Sequence, residues 1–175
     1  DVIKLSSDPK NWAVQSGNYA GTRHSKLNQI TTANVGSLKV AWTFSTGVLR
    51  GHEGSPLVIG DTMYLHTAFP NNVYALNLDD ENKIIWQYSP KQDPSVIPVM
   101  CCDTVNRGVQ YAEGKILLHQ ADTSLVALDA KTGEEVWTVK RVDSSSRLTS
   151  GWATPFVWEA GGRTEIVTIG RGFVI

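Results

Sequence analysis

Two stretches of this sequence repeat one another. The first opens as Ser55-Pro-Leu-Val-Ile-Gly-Asp-Thr-Met-Tyr-Leu-His66, continues as Val73-Tyr-Ala-Leu-Asn77 and ends at Ile84-Ile-Trp86. The second runs Val109-Gln-Tyr-Ala-Glu-Gly-Lys-Ile-Leu-Leu-His119, then Leu125-Val-Ala-Leu-Asp129, then Glu135-Val-Trp137. His66 and His119 lie 53 residues apart, Ala75 and Ala127 52, Trp86 and Trp137 51. Each unit holds about four short strands, the content of one propeller blade. A third unit opens at Thr154-Pro155-Phe-Val-Trp158, turns at Gly161-Gly162 and continues through Glu165 to Ile169. Phe173-Val-Ile175 would begin its third strand, so the sequence is expected to end inside a blade. One blade cannot bury both faces, and propellers close with roughly four to eight. The expectation is the N-terminal piece of a larger ring.

The pattern between the anchors predicts an all-β, antiparallel fold. Val40, Trp42 and Phe44 alternate with polar or small residues, as do Met63 and Leu65. Continuous apolar runs are short: Pro56 to Ile59, Ile84 to Trp86, Ile116 to Leu118, Ile166 to Ile169. Turn residues cluster between them at Gly60-Asp61, Asp79 to Asn82, Glu113 to Lys115 and Lys131 to Gly133. Short β-rich runs with this punctuation read as four-stranded meanders. The single helical signal is Thr31 to Val35, where Thr32 would cap one turn. The chain divides into an N-terminal segment (1–34), an opening strand and loop (35–54), a first repeat (55–90), a loop carrying adjacent cysteines (91–108), a second repeat (109–140) and an incomplete third (141–175).

Sixteen basic against seventeen acidic residues leave a net charge of −1. That argues against nucleic acid or an anionic membrane as the main partner. No apolar run approaches the ~18 residues of a membrane span. A charged-then-apolar leader is missing from the sequence, so any export signal is expected to have been removed or never made.

Trp42, Trp86 and Trp137 each close a unit. A ligand-stacking role is one reading; the better one is a ring packed between neighbouring blades, its N–H on a backbone acceptor. In Asp129-Ala-Lys-Thr-Gly133 the glycine is free to take positive φ in a tight turn. Cys101 and Cys102 could be two buried thiols or a vicinal disulfide. Their Cα atoms are ~3.8 Å apart across a trans peptide, whereas disulfides want ~4.4–6.8 Å. Strain of that kind is kept at functional sites. The residues alone leave both states open and favour free thiols. Zinc spacing is absent, and a redox dithiol would place two residues between the cysteines.

Three segments carry a family resemblance: Ala41-Trp-Thr-Phe-Ser-Thr-Gly47, Gly51-His-Glu-Gly-Ser-Pro56, and Lys91-Gln-Asp-Pro-Ser-Val-Ile-Pro-Val-Met-Cys-Cys-Asp-Thr-Val-Asn-Arg-Gly108. From about Val2 to Lys140 the chain resembles the large subunits of methanol dehydrogenases. These are quinoprotein alcohol dehydrogenases that use pyrroloquinoline quinone (PQQ) in an eight-bladed propeller. The resemblance implies that Cys101 and Cys102 form a vicinal disulfide covering one face of the quinone. It implies that Arg107 donates to the quinone oxygens, where a guanidinium stabilises growing negative charge. Glu53 would bond the cofactor rim, and Thr154 falls where a cofactor-contacting threonine is expected.

After Lys140 the resemblance changes. Arg141 to Gly151, Trp152 to Trp158 and Arg163 to Gly172 look like a generic PQQ-type propeller repeat. The family's Ser-Gly-Gly-Glu-Phe-Gly stretch would fall near Thr168 to Phe173, which reads Thr-Ile-Gly-Arg-Gly-Phe. The metal-binding glutamate is therefore missing from that stretch. The other metal ligand, the catalytic aspartate and the tryptophan under the second quinone face would lie beyond Ile175. No catalytic or metal residue is expected in this chain, and calcium or a lanthanide would belong to the complete enzyme.

Two functional readings follow. In the first, the chain is part of a PQQ-dependent alcohol dehydrogenase and is inactive alone. A small primary alcohol is then the substrate, and a small subunit and cytochrome c are partners. In the second, it is a non-catalytic propeller scaffold or a mosaic or truncated chain, and self-association is open to it. A vicinal bridge needs an oxidising compartment, which fits the periplasm.

Overall fold

The computed structural model describes residues 2–81, 83–140 and 150–169, and the backbone of 170, 173 and 174. Each repeat folds as one antiparallel four-stranded meander. The first contains β1 (Leu57–Ile59), β2 (Thr62–His66), β3 (Val73–Asn77) and β4 (Ile84–Tyr88), adjacent in that order. The second contains β5 (Gln110–Ala112), β6 (Lys115–His119), β7 (Ser124–Asp129) and β8 (Glu135–Lys140). The third unit contributes the hairpin β9 (Phe156–Ala160) and β10 (Arg163–Val167) and a short ladder of β11 (Ile169–Gly170) with β12 (Phe173–Val174).

The register explains the repeat anchors. Trp86 on β4 pairs with Ala75 on β3, and Trp137 on β8 pairs with Ala127 on β7. A methyl opposite an indole leaves room for the ring. Both ladders shift register just after that alanine, at Ala75/Leu76 and Ala127/Leu128. The bulge falls at the same place in each blade, beside the same alanine–tryptophan pair.

The middle strands read as unbroken apolar runs because both of their faces are covered. Ile116, Leu118, Val126 and Leu128 face the first blade, in a core shared with Leu57, Tyr64, Val73, Ala75 and Trp86. Leu117 and Ala127, one residue out of phase, pack with Val157 of the third unit. Period-two alternation therefore sorts each strand's residues onto two inter-blade cores.

Trp86 has the structural role expected of it. Its Nε1–H donates to the Ala130 carbonyl of the second blade at 3.0 Å, and Tyr64 donates its hydroxyl to the same oxygen at 3.0 Å. Gly133, in the β7–β8 turn at φ 74°, lies under the indole; a Cβ there would stand 2.6 Å from the ring. Asp129 holds this turn by accepting from the amides of Lys131 and Thr132.

Four expectations need correction. The alternation at Val40, Trp42 and Phe44 does not make a strand, and none is assigned between Leu38 and Pro56. Among the described residues no strand lies beside it, and without a ladder alternation alone does not hold a β conformation. Val40 is 81% exposed, while Phe44 meets Tyr74 edge-on at 5.2 Å and Thr46 accepts from the Tyr74 hydroxyl at 2.9 Å. The helical turn falls at Val35–Ser37, and its N-cap residue is Asn34 in place of Thr32. An unforeseen α-helix, α1 (Val2–Ser7), places Val2 against Ala13 and Val14. The run from Ile166 to Ile169 is split between β10 and β11 at Thr168. Among the described residues no helix is long and apolar enough to cross a membrane.

Candidate functional site

Three loops, each leading into a blade, carry the expected site residues. The first, before β1, bears Glu53. The second, between β4 and β5, bears Cys101, Cys102 and Arg107. The third, before β9, bears Thr154.

The second loop is shaped locally. Asp93 caps the 3-10 helix Pro94–Val99, its carboxylate accepting from the Ser95 amide at 2.8 Å, with proline in the first turn. That bond holds the Asp93 carboxyl below the usual carboxylate range. Further on, Cys102, Asp103 and Thr104 take φ values of 63°, 61° and 61°. Three non-glycine residues in the left-handed region cost roughly 1–2 kcal/mol each, so contacts must hold them. Thr104 donates its amide to Cys101 O at 3.0 Å and accepts from the Phe69 amide at 3.0 Å. The Asp103 carboxylate reaches the first loop, accepting from Gly51 N at 2.6 Å and Arg50 Nη1 at 3.1 Å. The Gly51 amide, with help from Arg50, holds the Asp103 carboxyl below its ordinary range. The left-handed turn beside the cysteines is thus tied to the loop bearing Glu53.

Arg107 is fixed through its backbone. It donates its amide to Trp152 O at 2.8 Å and accepts from the Gln15 side-chain amide. A Cβ on Gly108, at φ 132°, would overlap that Gln15 side chain, which accounts for the glycine in Asn-Arg-Gly. The Arg107 side chain meets Glu53, Nε to Oε2 3.1 Å, with 55% and 40% of the two side chains exposed. The sulfurs of Cys101 and Cys102 turn toward each other, their Cα atoms 3.7 Å apart.

A cavity of ≈ 70 Å³ is lined by Met100, Cys101, Cys102, Val105, Arg107 and Trp152. Four of the five expected residues therefore gather: both cysteines and Arg107 line this hollow, and Glu53 pairs with Arg107 beside it. Thr154, partly buried, does not line it; Trp152, two residues earlier, does. Arg171, at the position expected of the missing glutamate, and the segment 141–149 lie outside the described residues. Sequence reasoning missed Trp152, Arg50 and Asp103. Arg50 and Asp103 sit in separate loops, and no spacing rule marks such a pair. Trp152 was separable from the blade-closing tryptophans only by its place in a loop.

Compared with known proteins, residues 12–138 match the PQQ family model for the glucose/ethanol/alcohol dehydrogenase β-propeller domain. The chain belongs to this family. Within it, the chain is 64% identical to the lanthanide-dependent methanol dehydrogenase of Methylorubrum extorquens over 85% of its own length and 25% of the relative's. It is 49% identical to methanol dehydrogenase [cytochrome c] subunit 1 of Methylobacterium organophilum, over 81% of this chain and 24% of that one. Among solved structures, a europium-containing methanol dehydrogenase superposes with a TM-score of 0.89 at 47% identity, covering 97% of this chain and 29% of the other. The quinohemoprotein alcohol dehydrogenase of Comamonas testosteroni gives 0.87 at 32% identity, over 96% and 24%. The meanders are thus blades of a quinoprotein propeller, and the chain spans about a quarter of the length of the curated relatives it matches.

Proposed function

We propose that this chain supplies one side of the PQQ pocket of a methanol-type alcohol dehydrogenase. Cys101 and Cys102, joined as a vicinal disulfide, would cover one face of the planar cofactor. Arg107 would donate to its oxygens, Glu53 would bond its rim, and Thr154 would approach from the third unit. The observation that carries this reading is the 3.1 Å Glu53–Arg107 pair beside a hollow walled by the adjacent cysteines.

The donor set fits a flat, anionic, conjugated group. Sulfur and apolar side chains offer it a face, and the guanidinium fork offers fixed donors to its oxygens. When bound, PQQ supplies the two-electron oxidising power that removes hydride from the alcohol carbon. Arg107 then faces the negative charge that grows on the cofactor oxygens, and Glu53 holds the guanidinium in that orientation.

A calcium or lanthanide ion does not fit the described residues. Among the described residues no group of three or more His, Cys, Asp or Glu side chains could hold a metal, whereas calcium takes six to eight oxygen ligands. No step through the ion is assigned to this chain. A small primary alcohol as substrate and cytochrome c as acceptor are inferred from relatives named methanol dehydrogenase and methanol dehydrogenase [cytochrome c] subunit 1. A small subunit and a periplasmic location are inferred from the family resemblance. The bridge, which persists in oxidising compartments, agrees with that location.

Titrating the folded chain with PQQ and following absorbance tests the reading. Saturable binding is expected, weakened roughly tenfold or more by Arg107→Ala, which removes a charge-assisted contact. No saturable binding would overturn the cofactor role and leave a propeller module. The chain alone is expected to give no dye-linked alcohol oxidation with PQQ and calcium or a lanthanide. Turnover by a pure sample would show that the base and metal ligands are in this chain after all.

A further inference from the structure

We propose that His66 is a positioning residue for the Glu53–Arg107 pair, its buried ring wedged between the two loops that carry them. The inference rests on the reading of that pair as cofactor-binding.

His66 ends β2 and is 1% exposed. One side of its ring lies on Gly54, the residue after Glu53; a Cβ there would overlap the imidazole. Its Nε2 lies 3.1 Å from the carbonyl of Asn106, the residue before Arg107. A carbonyl oxygen only accepts, so Nε2 carries the hydrogen. Nδ1 is then a bare acceptor with no partner among the described residues. Burial favours this neutral form, pulling the pKa down to about 4. The same ring thus touches the backbone next to both members of the pair. The His52 ring stands 5.2 Å away, tilted by 33°.

The second blade repeats the device. His119 ends β6, its carbonyl accepts from Asn106 Nδ2 at 2.8 Å, and its Nδ1 is 2.8 Å from Thr168 Oγ1. A Cβ on Gly151 would overlap its ring. Each histidine therefore meets the loop entering its own blade and the loop entering the next. Those loops bear Glu53, Arg107 and Trp152. Asn106, between the two histidines, also accepts from Gly108 N at 2.9 Å and so shapes the backbone around Arg107.

The test reads Arg107 without any cofactor, in protein labelled with ¹⁵N-arginine. The Arg107 Nε–H signal, assigned by its loss in Arg107→Lys, is expected to shift in Glu53→Gln as the ion pair breaks. His66→Gln, which keeps an N–H for the Asn106 carbonyl, is expected to retain the wild-type signal. His66→Phe, which keeps the ring and loses the donor, and Gly54→Ala, which displaces the ring, are expected to lose it and to weaken PQQ binding roughly tenfold. A packing role reverses the order, Phe keeping the signal and Gln losing it, and that result overturns the proposal. So does an unchanged signal in both variants. Should His66→Phe fail to fold, Gln and Gly54→Ala decide: loss of the signal in Gln, or its retention in Gly54→Ala, overturns it. If wild-type protein binds no PQQ, the cofactor reading fails while the arginine signal still judges His66.

Discussion

A buried imidazole that stays neutral links pH to stability. His66 has a folded pKa of about 4 against an ordinary 6.5, lowered chiefly by burial. Between those values the unfolded chain takes up the proton and the folded chain does not. Stability is therefore full above pH 6.5 and falls as the pH drops to about 4, by roughly 3 kcal/mol. Urea unfolding at pH 7 and 4.5 should show this loss in the wild type and much less in His66→Gln; an equal loss of stability in both proteins would refute it. Asp93, Asp103 and Asp129, held below their ordinary range, lose their contribution only at lower pH. For Asp103, we expect Asp103→Ala to speed hydrogen exchange of the Gly51 amide at least tenfold, measured by NMR, because that amide loses its acceptor. The sequence showed Cys101, Cys102, Glu53 and Arg107 as parts of motifs. It marked His66 only as a repeat anchor and did not show what His66, Arg50 or Asp103 do, because their roles depend on two loops about fifty residues apart meeting in space. No local pattern encodes that meeting.

At the scale of strands and turns, the seam between blades adds to its shared apolar core a bond to one oxygen and a contact on one glycine. Trp86→Phe removes the N–H that reaches Ala130 O and part of a buried ring, and is expected to cost about 2–3 kcal/mol. Gly133→Ala adds a methyl 2.6 Å from the indole in a left-handed turn and is expected to cost about 2 kcal/mol or more. Denaturant midpoints check both; a Gly133→Ala protein as stable as wild type would contradict the seam described above. The blades themselves were legible because strand, turn and closing ring recur in fixed order. Residues 40–44 were not, since alternation records which side chains could share a face and says nothing of whether a neighbouring strand is there to bond. The Val35–Ser37 turn was misplaced for a related reason: Asn34 stands at its N-cap position without a side-chain bond to it, its Oδ1 accepting from the Thr31 amide at 2.7 Å, so no capping preference marks the turn.

The whole molecule presents two full blades and part of a third, with uncovered apolar side chains on its described surface. Trp158 is 51% exposed, and Phe156, Val136 and Val139 are also exposed. Phe156 and Trp158 line a hollow of ≈ 290 Å³ with Ile3 and Tyr19, which shares no residue with the cavity at the cysteines. Surfaces of this kind associate, so light scattering is expected to show mass rising with concentration; a constant monomer mass would contradict this. The period of the repeat made the propeller readable before any geometry. The packing of Trp86 between blades, with its N–H on a backbone acceptor, was readable too; which carbonyl and which glycine it meets was not. That grip has a consequence for how such rings diversify. Trp86 binds a main-chain carbonyl and rests on a residue with no side chain, so this part of the joint reads backbone shape, while the shared apolar core beside it reads side chains. A neighbouring blade must offer a turn of the same length with glycine in the same place, and apolar side chains that fill the shared core. A blade exchanged between rings then keeps the tryptophan contact unchanged and needs adjustment only among the side chains of the core it shares with its neighbour.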